Sequence, residues 1–163
     1  MMIDPRFKKM APAISSPPEN RILVFSDLDG SLLDHDTYDW APAQPSLDAL
    51  RQRGIPLILV SSKTLAELEH YQDELGLQHP VVAENGAVIH VPAGYFRVST
   101  VVASVAASRN EIQSAYLRAK AASGCQCEAF FEMGIRGIVR TTGLSRKQAT
   151  LAQERLGSEP VLW

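Results

Sequence analysis

Ile22-Leu23-Val24-Phe25-Ser26-Asp27-Leu28-Asp29-Gly30-Ser31 is an apolar run that ends on two aspartates one residue apart. The run Ile22 to Phe25 is the pattern of a short strand buried on both faces. In an extended chain residues i and i+2 share a side, so Asp27 and Asp29 can turn their carboxylates toward one small space. Two such charges repel unless a cation stands between them. A hard divalent ion with oxygen ligands, Mg²⁺ above all, meets that need. One carboxylate can then attack phosphorus. The other can protonate the leaving oxygen and later take a proton from water. Gly30 lets the backbone turn away and leaves an N–H for an anion. The plainer alternative is an Asp-rich turn capping a helix.

Downstream the chain alternates between strand and helix patterns. Pro45 to Arg53 places Leu47 and Leu50 one helical turn apart and stops at Gly54. Ile55 to Val60 predicts a second buried strand. Thr64-Leu-Ala-Glu67 is a capping box, followed at helical spacing by Leu65, Leu68, Tyr71 and Leu75, with Gly76 as the stop. Pro80 to Ala83 predicts a third strand, and Asn85-Gly86 a hairpin turn into Ala87 to Val91. This order predicts an α/β fold with a doubly wound parallel sheet, whose ligands bind at the carboxyl ends of the strands.

Two further motifs fall at those ends. Leu57-Ile-Leu-Val-Ser61-Ser62-Lys63-Thr64 delivers two hydroxyls and an ammonium to the start of a capped helix, where N–H groups and the dipole favour anions. Taken alone, those residues could simply cap the helix. Ala83-Glu84-Asn85-Gly86-Ala87, taken alone, is a hairpin turn.

Together these stretches resemble the haloacid dehalogenase-like (HAD) phosphatase superfamily, whose first motif is a strand followed by Asp-x-Asp-x-Thr/Ser. The resemblance implies Asp27 as nucleophile, Asp29 as general acid/base, and Mg²⁺ held by the Asp27 carboxylate and the Asp29 backbone carbonyl. Ser61 is similar to the second-motif hydroxyl, and Gly30, Ser62, Lys63 and Asn85 complete the expected phosphate site. Asp27 to Asp34, Tyr38-Asp-Trp40, Ser61 to Thr64 and Glu84 to Ala87 look like the mannosyl-3-phosphoglycerate phosphatases. Gly143-Leu-Ser145 and Ser158-Glu-Pro160 are similar to stretches of that family's cap. The implied substrate is a small phosphorylated molecule, a sugar-glycerate phosphate. Another sugar phosphate, or a silent module that binds a phosphate ligand or a partner, are the alternatives.

The remaining chain predicts a flexible extension over residues 1–20, the first half of a core over 21–95, and part of an α+β cap over 96–163. In the cap, Val98 to Val105 predicts a strand, and Ser108-Arg-Asn-Glu111 opens a helix to Gly124. Cys125 to Glu132 predicts a strand, Ser145 to Gln148 opens a helix to about Leu156, and Pro160 to Trp163 begins a strand. No Asp follows Asp73, and the later lysines are Lys120 and Lys147. The superfamily's third-motif Lys and fourth-motif acidic pair are therefore unmatched. The expectation is a chain that stops inside its cap, leaving the catalytic site incomplete and a sheet edge open to self-association.

Composition sets the outer bounds. Among 163 residues 45% are hydrophobic and 21% charged, with net charge −2. These are globular values, without the basic surplus of a nucleic-acid binder. No apolar run approaches a membrane span of roughly 18 residues. Cys125 and Cys127 cannot form a disulfide framework and lack zinc-knuckle spacing, so they are read as buried packing residues in a reduced, cytoplasmic protein. Arg140, Arg155 and Glu159 are read as solvated surface, with reach from the cap to a carboxylated sugar phosphate as the alternative.

Overall fold

The computed structural model describes residues 22–34, 37–97, 99–104 and 106–163, without the side chain of Arg97. The predicted extension over residues 1–20 lies outside them. Three parallel strands come first: β1 (Val24–Ser26), β2 (Leu57–Val60) and β3 (Val81–Ala83). They are linked by helices α1 (Gln44–Gln52) and α2 (Leu65–Leu75). The chain then turns back through β4 (Val88–Val91) and β5 (Val101–Ser104), both antiparallel to their neighbours. The sheet order is β1-β2-β3-β4-β5. The α/β layering is the expected one. Winding runs in one direction only among the described residues, so β1 is the edge strand.

That position corrects one expectation. Ile22 to Phe25 was to be buried on both faces, yet Phe25 is 60% exposed, and Ile22 and Leu23 are exposed too. The pattern fits β2 instead, where Leu57, Ile58 and Leu59 are all buried. A central strand has neighbours on both edges and helices on its faces; β1 has a partner on one side.

Local chemistry explains the helices. Thr64 caps α2 by accepting from Glu67 N–H at 3.1 Å, while Glu67 returns a bond to Thr64 N–H at 2.8 Å. The stripe Leu65, Leu68 and Leu75 then falls on one face and joins the buried cluster of Leu28, Leu33, Leu47, Leu59, Val81 and Val88. Ser108 and Ser145 cap α3 (Arg109–Ser123) and α5 (Arg146–Ala152) in the same way.

The segment after α3 departs from expectation. Only β6 (Glu128–Ala129) is strand, paired antiparallel with β7 (Val161–Leu162), and α4 (Phe130–Thr142) follows at once. Its two glycines and β-branched residues hide the helix in the sequence. The helix breaks at Gly134, whose φ of 60° and ψ of 177° suit glycine alone. Phe130 and Ile138 of α4 form a second buried cluster with Ala149 and Ala152 of α5. Cys125 is exposed and Cys127 half-buried, not core as expected. They sit at the turn after α3 rather than in a strand.

Leu68 is fully buried at the centre of the first cluster. Leu68→Ala is expected to cost about 2–5 kcal/mol in urea unfolding, through lost burial and a cavity. Leu117→Ala, at an exposed position on α3, should stay within about 0.5 kcal/mol.

Candidate active site

Parallel pairing fixes where the motifs end up. Ser26 lies opposite Leu59, and Leu59 opposite Val81. Extending this register by one or two residues brings Asp27, Ser61 and Glu84 to the same carboxyl edge of the sheet. Ser61 is bonded into that edge, its N–H donating to Val82 O at 3.0 Å.

Asp27 follows β1 directly and is exposed. Its Oδ1 accepts from Leu28 N–H at 2.7 Å. Leu28, between the two aspartates, is fully buried. The chain then wraps around one carbonyl: Leu28 O accepts from the N–H of Ser31, Leu32 and Leu33 at 3.2, 3.1 and 2.8 Å. Gly30 adopts φ of 70° inside this turn, a conformation that costs a residue with Cβ more than glycine.

Asp29 is tied to the second motif. Its Oδ1 lies 2.9 Å from Lys63 Nζ, although that oxygen is buried and accepts no well-directed hydrogen bond. The contact is an ion pair held by charge rather than by hydrogen-bond geometry. Lys63 Nζ also stands 5.5 Å from the centroid of the Tyr38 ring, within cation–π range. Ser61 is buried, with Oγ accepting from Lys63 N–H at 3.3 Å. Ser62 is exposed. Asn85 joins the group through its backbone, with N–H donating to Ser61 O at 3.0 Å. The structure thus brings Asp29, Ser61, Lys63 and Asn85 into direct contact, with Asp27 and Gly30 on the adjoining turn.

Beside Lys63 a cavity of about 170 Å³ opens between α2 and α5, lined by Tyr38, Lys63, His70, Tyr71, Leu144 and Gln148 among others. Tyr38 and Tyr71 supply flat faces, and Gln148 an amide. Burial, then the negative charge of Asp29, then Glu67, Glu74 and Tyr38 push the Tyr71 phenol up to about 12. Among the described residues no three of His, Cys, Asp and Glu gather as a metal cluster. The Asp27 carboxylate and Asp29 carbonyl are hard oxygen donors that suit Mg²⁺. Together they would fill only part of an octahedral shell, leaving the rest to water or other oxygens.

Three residues matter more than their sequence reading implied. Glu84 is buried, with its carboxylate accepting from Leu156 N–H, Gly157 N–H and Ser158 Oγ. Arg155, expected as solvated surface, donates to Ser62 O at 3.1 Å and Ser158 Oγ at 2.9 Å. Burial pushes its guanidinium down, and the Glu84 charge opposes that shift. Glu159, also expected at the surface, has a side chain only 1% exposed, pairs with Arg109 at 3.3 Å and accepts from Phe131 N–H at 3.0 Å. These contacts span 50 and 28 residues along the chain, and no local motif signals them.

Residues 24–121 match the family described as haloacid dehalogenase-like hydrolase. A glucosyl-3-phosphoglycerate/mannosyl-3-phosphoglycerate phosphatase of Methanococcoides burtonii is 37% identical over 142 residues, 82% of this chain and 52% of that protein. The chain therefore spans about half the length of the curated relative it matches. Among solved structures, a subclass IIB sugar phosphatase of the HAD superfamily is 17% identical, with a TM-score of 0.51. It aligns over 83% of this chain and 56% of its own, a likeness of fold. A haloacid dehalogenase-like hydrolase from B. subtilis is 16% identical with a TM-score of 0.48, over 83% and 53% of the two chains.

The Asp29 charge beside Tyr71 has a measurable consequence. A phenol raised from 10.0 to about 12 favours folding below pH 10, and that contribution is lost as pH rises through the interval to about 12. Phenolate absorbance compared with that of Tyr71→Phe should isolate the late titration. Asp29→Asn should move it toward lower pH. An unmoved titration would show that the Asp29 charge takes no part in it.

Proposed function

Because the chain belongs to the haloacid dehalogenase-like hydrolase family, we propose that it carries the nucleophile-bearing part of a phosphomonoester hydrolase. The observation that carries this reading is the parallel register, in which Asp27 follows β1 and Ser61 follows β2 at the same carboxyl edge of the sheet. An Asp27 carboxylate oxygen attacks phosphorus, the phosphorus–oxygen ester bond breaks, and the leaving oxygen takes a proton from Asp29. Water then attacks the aspartyl-phosphate, Asp29 accepts its proton, and phosphate leaves as Asp27 is regenerated. Ser61 Oγ, Lys63 Nζ and the N–H groups that open α2 hold the non-bridging oxygens; Gly30 N–H, Ser62 and Asn85 border them. Mg²⁺, when bound to the Asp27 carboxylate and the Asp29 carbonyl, supplies charge neutralisation for the phosphoryl group.

For the substrate we infer a sugar-glycerate phosphate of the mannosyl-3-phosphoglycerate type, supported by the 37% identity to the Methanococcoides protein. The aromatic faces and amide of the cavity beside Lys63 suit the apolar faces and hydroxyls of a sugar. Another small sugar phosphate is the alternative. No helix among the described residues is long and apolar enough to cross a membrane, and a cytoplasmic setting fits two free cysteines. A second reading, a module that binds a phosphate ligand without turnover, draws on one observation: the Lys63 ammonium is already engaged by Asp29.

The open edge of β1 suggests a partner as well. Phe25 is exposed on that strand, which has no further strand beside it among the described residues, and such an edge can template another chain. Self-association should appear as concentration-dependent sedimentation, and Phe25→Lys should suppress it. A monodisperse monomer at all concentrations would refute edge pairing.

Turnover is tested with magnesium present, by phosphate release from mannosyl-3-phosphoglycerate. Asp27→Asn is expected to abolish it, because an amide is not a competent nucleophile. Asp29→Asn should lower it about 10²–10⁴-fold through lost proton transfer. Wild-type turnover in freshly prepared, undeamidated Asp27→Asn protein would rule out the covalent route. Phosphate binding without release by the unaltered chain would favour the second reading.

A further inference from the structure

Ser61, Ser62 and Lys63 are consecutive, and each carbonyl oxygen accepts a hydrogen bond from a distant part of the chain. Asn85 N–H donates to Ser61 O at 3.0 Å, Arg155 Nη1 to Ser62 O at 3.1 Å, and Glu84 N–H to Lys63 O at 2.9 Å. Two of these donors are themselves joined. Arg155 Nη1 donates to Ser158 Oγ at 2.9 Å, and that hydroxyl donates to Glu84 Oε2 at 2.6 Å. The path from Ser62 O through Arg155, Ser158 and Glu84 to Lys63 O is a closed ring that begins and ends on adjacent residues.

Further contacts saturate the carboxylate. Leu156 N–H reaches Oε1 at 2.8 Å and Gly157 N–H reaches Oε2 at 3.1 Å. Gly157 is packed so closely that a Cβ there would stand 3.1 Å from the Cβ atoms of both Ala87 and Ala106. Glu84 and Asn85 both hold left-handed backbones, with φ of 54° and 57°. Neither is glycine, and such conformations persist when surrounding contacts impose them. A buried carboxylate is costly unless its oxygens are satisfied. Here every donor that satisfies it comes from 156–158, more than 70 residues away.

We propose that Glu84 is a positioning residue for the Ser61–Lys63 loop. It touches no reacting atom. Through its amide and carboxylate it makes the loop's geometry depend on residues 155–158 being docked against it. The ring stands on its own contacts; its bearing on phosphate rests on the phosphatase reading above.

Amide hydrogen exchange on the whole 163-residue chain reads the ring without substrate. Glu84→Gln should speed exchange at Leu156 and Gly157 about tenfold or more, the scale of one lost charge-assisted bond. It should also speed exchange at residues 84 and 85, whose acceptors lie on the loop, while Leu59 and Val81 keep their protection. Arg155→Lys keeps the charge but cannot bridge Ser62 O and Ser158 Oγ together, so it should loosen residue 84 as well. Faster exchange confined to Leu156 and Gly157 overturns the proposal. If Glu84→Gln lowers core protection too, Arg155→Lys decides by the same criterion. Inorganic phosphate, titrated against amide chemical shifts, should bind either variant about tenfold more weakly at unchanged core protection. Unchanged affinity in a variant with a loosened loop overturns the positioning role. No phosphate binding by the unaltered chain overturns the phosphatase reading, and the exchange pattern still judges the ring.

Discussion

The parallel pairing of β1, β2 and β3 is the constraint on which the other features depend. Ser26 opposite Leu59 and Leu59 opposite Val81 bring three strand ends to one edge, and each end carries polar groups a buried strand cannot accommodate. A slip of one residue in either pair would turn Asp27 or Ser61 to the opposite face of the sheet. β2 is buried at Leu57, Ile58 and Leu59, so the polar residues that follow it, from Ser61 on, fall at the edge of the sheet.

Charge at that edge is arranged in layers. Lys63 meets Asp29 directly, whereas the Asp27 carboxylate lies exposed, its Oδ1 accepting from Leu28 N–H. Glu84, behind the loop, is satisfied by neutral N–H and O–H donors with Arg155 close by. One acid is open to solvent, one ion-paired and one enclosed. Three carboxylates at one edge of the sheet therefore sit in three different environments, the condition under which acids of one type take up different roles.

Much of the helix placement was legible in the sequence. Capping boxes at Thr64, Ser108 and Ser145 each open a helix, because their signal is local and chemically specific. Asp29, Ser61, Lys63 and Asn85, which the resemblance grouped, stand in contact. What was not legible is tertiary. The helical segment after Ala129 hides behind Gly134 and Gly137, residues that weaken any propensity argument. The edge position of β1 is a matter of neighbours, which an apolar run cannot announce. Glu84 and Arg155 meet across a gap of 71 residues in chain number, 84 to 155, and nothing at either position alone distinguishes a surface charge from an enclosed one.

The left-handed pair at Glu84 and Asn85 bears on how this fold tolerates redesign. Glycine adopts such a backbone freely, and asparagine more readily than most residues. A design procedure that scores local backbone comfort would therefore replace Glu84 first. The strain relieved is of order 1–3 kcal/mol. The same exchange to glycine would leave the amides of Leu156 and Gly157 and the hydroxyl of Ser158 without their acceptor. Local ease and long-range connection are opposed at this one position, so a more comfortable sequence here is a less connected one.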